Sequence, residues 1–421
     1  MSSRPAPYLH RHIPWLALAA IVLTAVNLRT AVTSITPLLA GLGAQFGFGA
    51  TMTGVFGMLP TAAFALFGVL TPRVIARLGA ERTALLAMAV AASGLLLRAS
   101  ADSTTLLLLG SVVALAGMGS GNVVIPPLVK RYFPERIGAV SALYLTALQL
   151  GTMTPALAAV PLASAAGWRV SLGIWSLLAL AAILPLWLLQ RQSRRDALQQ
   201  PPALPPAVNG KVWRTRLGWS MTLMFGMTSL VSYAMFTWLP SIMTEAGADA
   251  AFGGVVVAVF SAMGLFAALA VPAIASRLRN PFVLVACCWL LSLAAYAGLY
   301  LAPMRAPVLW AVLMGLGPST FSLALTLINL RTRSAGGSAA LSGFMQGTGY
   351  ALACAGPLLF GVLRQHSGGW AAPFALLAGA STLVLVAGWL ACRPQQLEDQ
   401  WLQATPKQAQ PLRHDGQPGH G

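Results

Sequence analysis

"RQSRRDALQQPPALPPAVNGKVWRTR", residues 191 to 216, is the longest polar interruption in a chain that otherwise avoids charge. It is basic and glutamine-rich, and Pro201, Pro202, Pro205 and Pro206 favour an extended backbone, so it reads as a linker between two halves. On both sides of it the sequence is apolar. Of 421 residues, 57% are hydrophobic and 8% charged, whereas an average soluble domain carries about 25% charged residues. Apolar runs of about 20 residues recur from end to end, each long enough to cross a hydrocarbon core of roughly 30 Å as a helix. This composition excludes a soluble protein and predicts an all-α, polytopic membrane protein.

Working outward from the linker, hydropathy and Gly/Pro punctuation predict six spans on each side. They lie at 14–40, 52–76, 83–100, 105–128, 137–161 and 169–190, then 216–242, 251–276, 281–302, 307–330, 337–363 and 370–392. The expected organisation is an N-terminal tail (1–13), a six-helix bundle (14–190), the linker (191–215), a second six-helix bundle (216–392) and a polar, Gly/Pro-rich tail (393–421) expected to be disordered. The first span begins behind Arg4 and Arg11 and continues past Arg29 without a small-residue cleavage site, so it reads as a retained span. Cys287, Cys288, Cys354 and Cys392 lack metal-ligand spacing and suggest neither a disulfide framework nor zinc.

Net charge is +17. In a soluble protein that would raise the question of nucleic acid, but here its distribution explains it. The assigned spans put 21 of the 26 Lys and Arg on the linker side, with only Arg98, Arg169, Arg305 and Arg364 opposite and Arg29 within the membrane. By the positive-inside rule the linker and both termini are cytoplasmic, and the expected location is the cell inner membrane.

The two halves echo one another. "SALYLTALQLG" (141–151) aligns with "SAALSGFMQGTG" (338–349), matching Ser141 to Ser338 and Gln149 to Gln346 at one offset. Two six-helix repeats joined by a cytoplasmic linker are the plan of the major facilitator transporters, with the substrate held at mid-membrane between the halves. Four motifs carry a closer resemblance: "NLRTAVTSITPLL" (27–39), "GMGSGNVVIPPLVKRYFPER" (117–136), "SYAMFTWLPSI" (232–242) and "LSGFMQGTGYALACAGPLL" (341–359). With them the chain, from 13 to 392, resembles the cyanate and 2-nitroimidazole permease branch of the major facilitator superfamily. The resemblance implies transport of small anions or neutral heterocycles. One departure is Pro72 in "GVLTPRVIARLGAERT" (68–83), where the superfamily usually has an aspartate.

The nine acidic residues all fall in loops or tails by this assignment, with Glu81, Glu135 and Asp196 in loops on the linker side, and so do the five histidines. A buried carboxylate or histidine is the usual proton relay and would be the partner of a cationic substrate. Any coupling proton is therefore expected to travel with substrate or water, or flux is uniport or exchange. A membrane enzyme would need a nucleophile–base pair or metal cluster at membrane depth, and none is legible, so the chain reads as a non-enzyme without cofactor.

Arg29 is the permanent charge that this sequence keeps inside a span. It lies too deep to reach either interface, and no span supplies a carboxylate to pair with it, so carbonyls, amides, water or a bound anion must satisfy it. Thr33 and Thr36 follow on the same helical face. Asn122, Gln149 and Gln346 are amides within spans, either joining helices or lining a cavity. Ser342, Gln346, Gly349, Tyr350 and Ala353 make one small, polar face, and Ser229, Tyr233, Phe236 and Pro240 make a stripe on the seventh span. Trp238 reads as an interfacial anchor. The expected substrate-binding set is Arg29, Thr33, Asn122, Gln149, Tyr233, Gln346 and Tyr350. The expected function is secondary active or facilitative transport of a small anionic solute, cyanate-like or a small organic anion, by alternating access. The alternative is export of neutral or weakly acidic heterocycles such as nitroimidazoles. Expected partners are the small-molecule substrate and the lipid bilayer, with protons as a candidate coupling ion and no nucleic acid; a monomer is expected.

Overall fold

The computed structural model describes residues 13–133, 135–196, 211–333 and 335–404, which contain helices and no strands. The helices are α1 (Ile13–Asn27), α2 (Thr30–Ile35), α3 (Leu39–Phe46), α4 (Ala50–Leu78), α5 (Ala80–Ala99), α6 (Thr104–Tyr132), α7 (Ile137–Ala166), α8 (Trp168–Gly173) and α9 (Ser176–Asp196) in the first half. In the second half they are α10 (Arg216–Glu245), α11 (Ala250–Arg277), α12 (Phe282–Leu301), α13 (Pro307–Leu316), α14 (Thr320–Leu330), α15 (Ala335–Ala353), α16 (Ala355–Ser367) and α17 (Ala371–Ala391), with α18 (Leu397–Ala404) beyond the bundle. Lipid offers the backbone no hydrogen-bond partners, so each apolar run must satisfy its own amides as a helix. Among the described residues, eleven helical stretches are long and apolar enough to cross a membrane. The bent pair α15–α16, richer in glycine and hydroxyls, completes twelve.

Most predicted spans correspond to one helix; four are interrupted, several of them at proline. The first span is broken at Leu28–Arg29 and again at the 3-10 turn Thr36–Leu38, where Pro37 supplies no N–H. The tenth bends through a 3-10 turn at Gly317–Ser319 around Pro318. The eleventh breaks at Cys354, next to Gly356 and Pro357. The sixth divides into α8 and α9. Where a helix must start sharply, a side chain caps it: Thr215 Oγ1 accepts from the Gly218 N–H at 3.0 Å and Asp249 Oδ1 from the Phe252 N–H at 2.7 Å.

Within each half the helices approach closely at small residues. A Cβ on Gly151 of α7 would stand 1.9 Å from the Val26 carbonyl oxygen of α1, and in the second half one on Gly349 of α15 would stand 2.7 Å from Phe225 of α10. Between the halves, the end opposite the linker is closed. The Thr51 N–H and Oγ1 of α4 donate to Gln365 Oε1 of α16 at 3.1 and 2.6 Å. A Cβ on Gly54 would lie 2.7 Å from the Pro357 carbonyl oxygen of α16, and one on Gly254 of α11 would lie 2.1 Å from the Ala156 carbonyl oxygen of α7. Close glycine contacts thus line the seam on both sides.

Three sequence expectations change here. Glu81 is not a loop residue: it lies in the first turn of α5, 4% exposed, paired with Arg131 at 3.1 Å and accepting from the Tyr132 hydroxyl at 2.8 Å. The helix N-terminus and the guanidinium together make burial of that carboxylate tolerable. Arg98, expected at the surface opposite the linker, is fully buried. The tail is not disordered throughout, because Leu397–Ala404 fold into α18, with Leu397 fully buried and the Arg333 guanidinium gripping Asp399 at 2.6 and 3.1 Å. Residues 1–12, 197–210 and 405–421 lie outside the described residues, and with them most of the predicted linker, the N-terminal tail and the rest of the C-terminal tail.

Candidate functional site between the bundles

Arg29 occupies the break between α1 and α2, midway along the first span. Its backbone leaves the helical region, at φ −126° and ψ −6°, and no side chain caps the start of α2. Its side chain crosses to the other bundle. Nη1 donates a short hydrogen bond to the Tyr233 hydroxyl of α10, and Tyr350 of α15 presents a second phenol to the guanidinium. The guanidinium carbon also sits over the Phe64 ring of α4 at 4.5 Å and near the Tyr233 ring at 5.7 Å.

The rings form one connected cage. Phe64 meets Tyr350 edge-on at 5.7 Å and Tyr233 at 6.3 Å, Tyr350 meets Phe225 at 5.1 Å, and Tyr233 leads on to Phe236 at 6.2 Å. Aromatic walls lower the local dielectric and strengthen the field of the one charge they enclose. Among the described residues no carboxylate pairs with Arg29; the ion pairs there are Arg131–Glu81, Arg333–Asp399 and Arg364–Glu245. A guanidinium has five N–H donors, so bonding to phenols leaves donors for a further acceptor. The site can therefore bind an acceptor-rich, flat or anionic group.

The structure thus brings Arg29, Tyr233 and Tyr350 of the predicted set together. Gln149 of α7 reaches across the bundle interface and donates from Nε2 to the Ser261 carbonyl of α11 at 2.8 Å. Gln346, its counterpart in the repeat, donates to Ser342 Oγ on its own helix at 2.7 Å. The equal placement of the two amides does not extend to equal partners. The Thr33 and Thr36 hydroxyls are engaged within their own helix. They donate to the carbonyls of Arg29 and Val32 at 3.3 and 2.7 Å, the ordinary fate of a helical threonine four residues on. Asn122 likewise donates to the Met118 carbonyl of its own helix at 3.3 Å.

Phe64 is the site residue that sequence reading misses. An apolar ring on an apolar span carries no signal of its own, and only the fold sets it over a guanidinium. Trp238 is a correction of the opposite kind. It is 3% exposed, its Nε1 donates to the Pro357 carbonyl at 3.1 Å, and its ring packs on Phe360 and Trp370 at 5.7 and 6.2 Å. It braces the bend of the eleventh span rather than marking an interface. Trp238→Ala is expected to lose about 3–5 kcal/mol through the cavity and the unpaired carbonyl, read as a lowered melting temperature of the detergent-purified protein.

Two helical bundles meeting around the Arg29 guanidinium define a polytopic helical membrane protein with a candidate site on the interface between its halves. The chain belongs to the Major Facilitator Superfamily, whose family profile matches residues 21–354. It is 32% identical to the 2-nitroimidazole transporter of Escherichia coli (strain K12), over 90% of this chain and 96% of that one. It is 28% identical to the cyanate transport protein of the same organism, over 84% and 91%. In fold it is similar to a bacterial homologue of the human lysosomal transporter Spinster, with a TM-score of 0.68 and 15% identity over 93% and 95% of the two chains. The chain is accordingly a multi-pass membrane transporter.

Proposed function

We propose that this transporter carries a small anionic solute, cyanate-like or a small organic anion, across the inner membrane by alternating access, secondary active or facilitative. The observation that carries the reading is the Arg29 guanidinium, held at mid-span with ligands from both bundles and no carboxylate among the described residues to neutralise it. An isolated charge there is costly, at roughly 2.5–3.5 kcal/mol on insertion scales, and intramembrane charges of this kind mark substrate pathways. Because the guanidinium touches both halves, a solute bound to it senses which way they are tilted. The linker side, rich in Lys and Arg, is taken as cytoplasmic. The chain is read as a carrier and not an enzyme, as its relatives are. It is taken to act as a monomer, with any coupling proton moving alongside the solute.

A second reading, export of neutral or weakly acidic heterocycles, is favoured by the aromatic cage of Phe64, Tyr233, Phe236 and Tyr350, which suits a planar ring with acceptor atoms turned to Arg29. Thermal-shift titration of the purified protein with cyanate, benzoate and 2-nitroimidazole separates the two, since a ligand stabilises only the state it binds. A shift with the anions supports the first reading, and a shift with 2-nitroimidazole alone supports the second. In the same assay Gln346→Ala is expected to weaken binding about tenfold at unchanged melting temperature, because its loss leaves Ser342 a replaceable bond while removing an amide from the polar face. A drop in stability without a change in affinity would make Gln346 a helix-joining residue only.

A further inference from the structure

We propose that Arg98 is a positioning residue for the Arg29 site: its guanidinium clamps α2 and so sets where the break in the first span presents Arg29. Arg98 lies in the last turn of α5. Its side chain is fully buried. Nη1 donates to the Ala31 carbonyl at 2.7 Å and Nη2 to Ser34 Oγ at 2.9 Å, while Nε has no partner. Both acceptors belong to α2. On the other side α6 closes over it, with a Cβ on Gly110 placed 2.5 Å from the Arg98 backbone nitrogen.

Packing alone does not explain an arginine at this position. A buried guanidinium without a counter-charge is disfavoured against an apolar side chain of similar volume, and no carboxylate pairs with Arg98 among the described residues. What it does explain is the stability of α2. A helix of 6 residues is far shorter than one that holds by itself, and α2 is set off from α1 by the uncapped break at Arg29 and from α3 by the Pro37 turn. The two arms of the guanidinium reach Ala31 and Ser34, one turn apart, and so fix both the rotation and the depth of α2. Arg29 opens that same turn. Rotation of α2 would draw the Arg29 guanidinium away from Tyr233 on the opposite bundle. A lysine could make one of the two bonds, and an apolar residue neither.

This inference rests on the reading of Arg29 as the solute site, but its principal test needs no solute. In the full-length purified protein, hydrogen exchange is followed over residues 30–36, and melting temperature is measured in a double-mutant cycle of Arg98→Gln with Tyr233→Phe. Arg98→Gln is expected to speed exchange in α2 at least tenfold while α5 and α6 keep their protection, with Arg98→Lys restoring part of it. Tyr233→Phe is expected to lower the melting temperature of the parent and to leave that of Arg98→Gln unchanged, because the bond it removes is already lost. Ser34→Ala replaces Arg98→Gln in the cycle if the latter does not fold. Unchanged exchange in α2 would overturn the clamp. Additive melting shifts would overturn the positioning role and leave Arg98 as a packing residue. Arg29→Gln binding its solute with parental affinity would instead overturn the solute site alone.

Discussion

Arg29→Gln is expected to abolish measurable solute binding, lowering affinity by at least about 30-fold while the protein still folds. Removing one member of a buried, hydrogen-bonded charge pair costs on the order of 2–5 kcal/mol, and each 1.4 kcal/mol is about tenfold in affinity. Stability should hold, since relief of the cost of burying a charge without a carboxylate partner offsets loss of the hydrogen bond to the Tyr233 hydroxyl. Arg29→Lys keeps the charge but loses the planar fork, and is expected to weaken binding about tenfold, because an ammonium cannot grip a carboxylate-like or linear anion with two parallel donors. Equilibrium binding to the solute that stabilises the parent protein measures both. Parental affinity in Arg29→Gln would leave the arginine a structural role as a strut between the bundles.

Gly254→Val should eliminate transport with the bundles intact. The position faces the Ala156 carbonyl oxygen across the seam between α11 and α7, and even a methyl carbon there would come within 2.1 Å of it. Backbone cannot yield by the ångström or more that van der Waals contact requires without separating the helices. The contact joins the two halves and is not internal to either, so each bundle should keep its packing while the end opposite the linker can no longer close. Alternating access needs that closure in one of its two states, and the variant is held in the other. Uptake or efflux by reconstituted protein should fall to background, and a cysteine placed at position 237, buried against Gly57 across the seam, should become reactive to a water-soluble thiol reagent. By contrast Gly151→Val, whose contact with Val26 lies within one bundle, should reduce folded yield. Transport at parental rate in folded Gly254→Val would show that the two helices can part without loss of the closed state.

The central charge could be read from the chain because a mid-span arginine is conspicuous wherever it packs, and Tyr233 and Tyr350 because helical spacing put them on a stripe of the seventh span and a polar face of the eleventh. Their meeting point could not. Tyr233 is 204 positions from Arg29, and nothing local to either stretch reports that a break at Leu28–Arg29 swings the guanidinium across to α10. The Gln149 and Gln346 pair makes the same point within a repeat: matched sequence positions acquire different partners, one on the opposite bundle and one on its own helix.

The sequence by itself determined an all-α membrane protein built of apolar spans, and predicted a Pro-rich linker between two like halves and a charge isolated midway along the first span. These are sums over about 20 consecutive residues, and lipid enforces them locally by leaving helix as the way to satisfy the backbone. Only the tertiary structure decided that Glu81 and Arg98 are buried, that Trp238 braces a bend, that Phe64 lies over the guanidinium and that Leu397–Ala404 dock as a helix. Each of these depends on which distant helix lies opposite. In an apolar chain the same leucine-, alanine- and glycine-rich surface can face lipid or protein, so the pattern does not distinguish a membrane-facing side from a packed one.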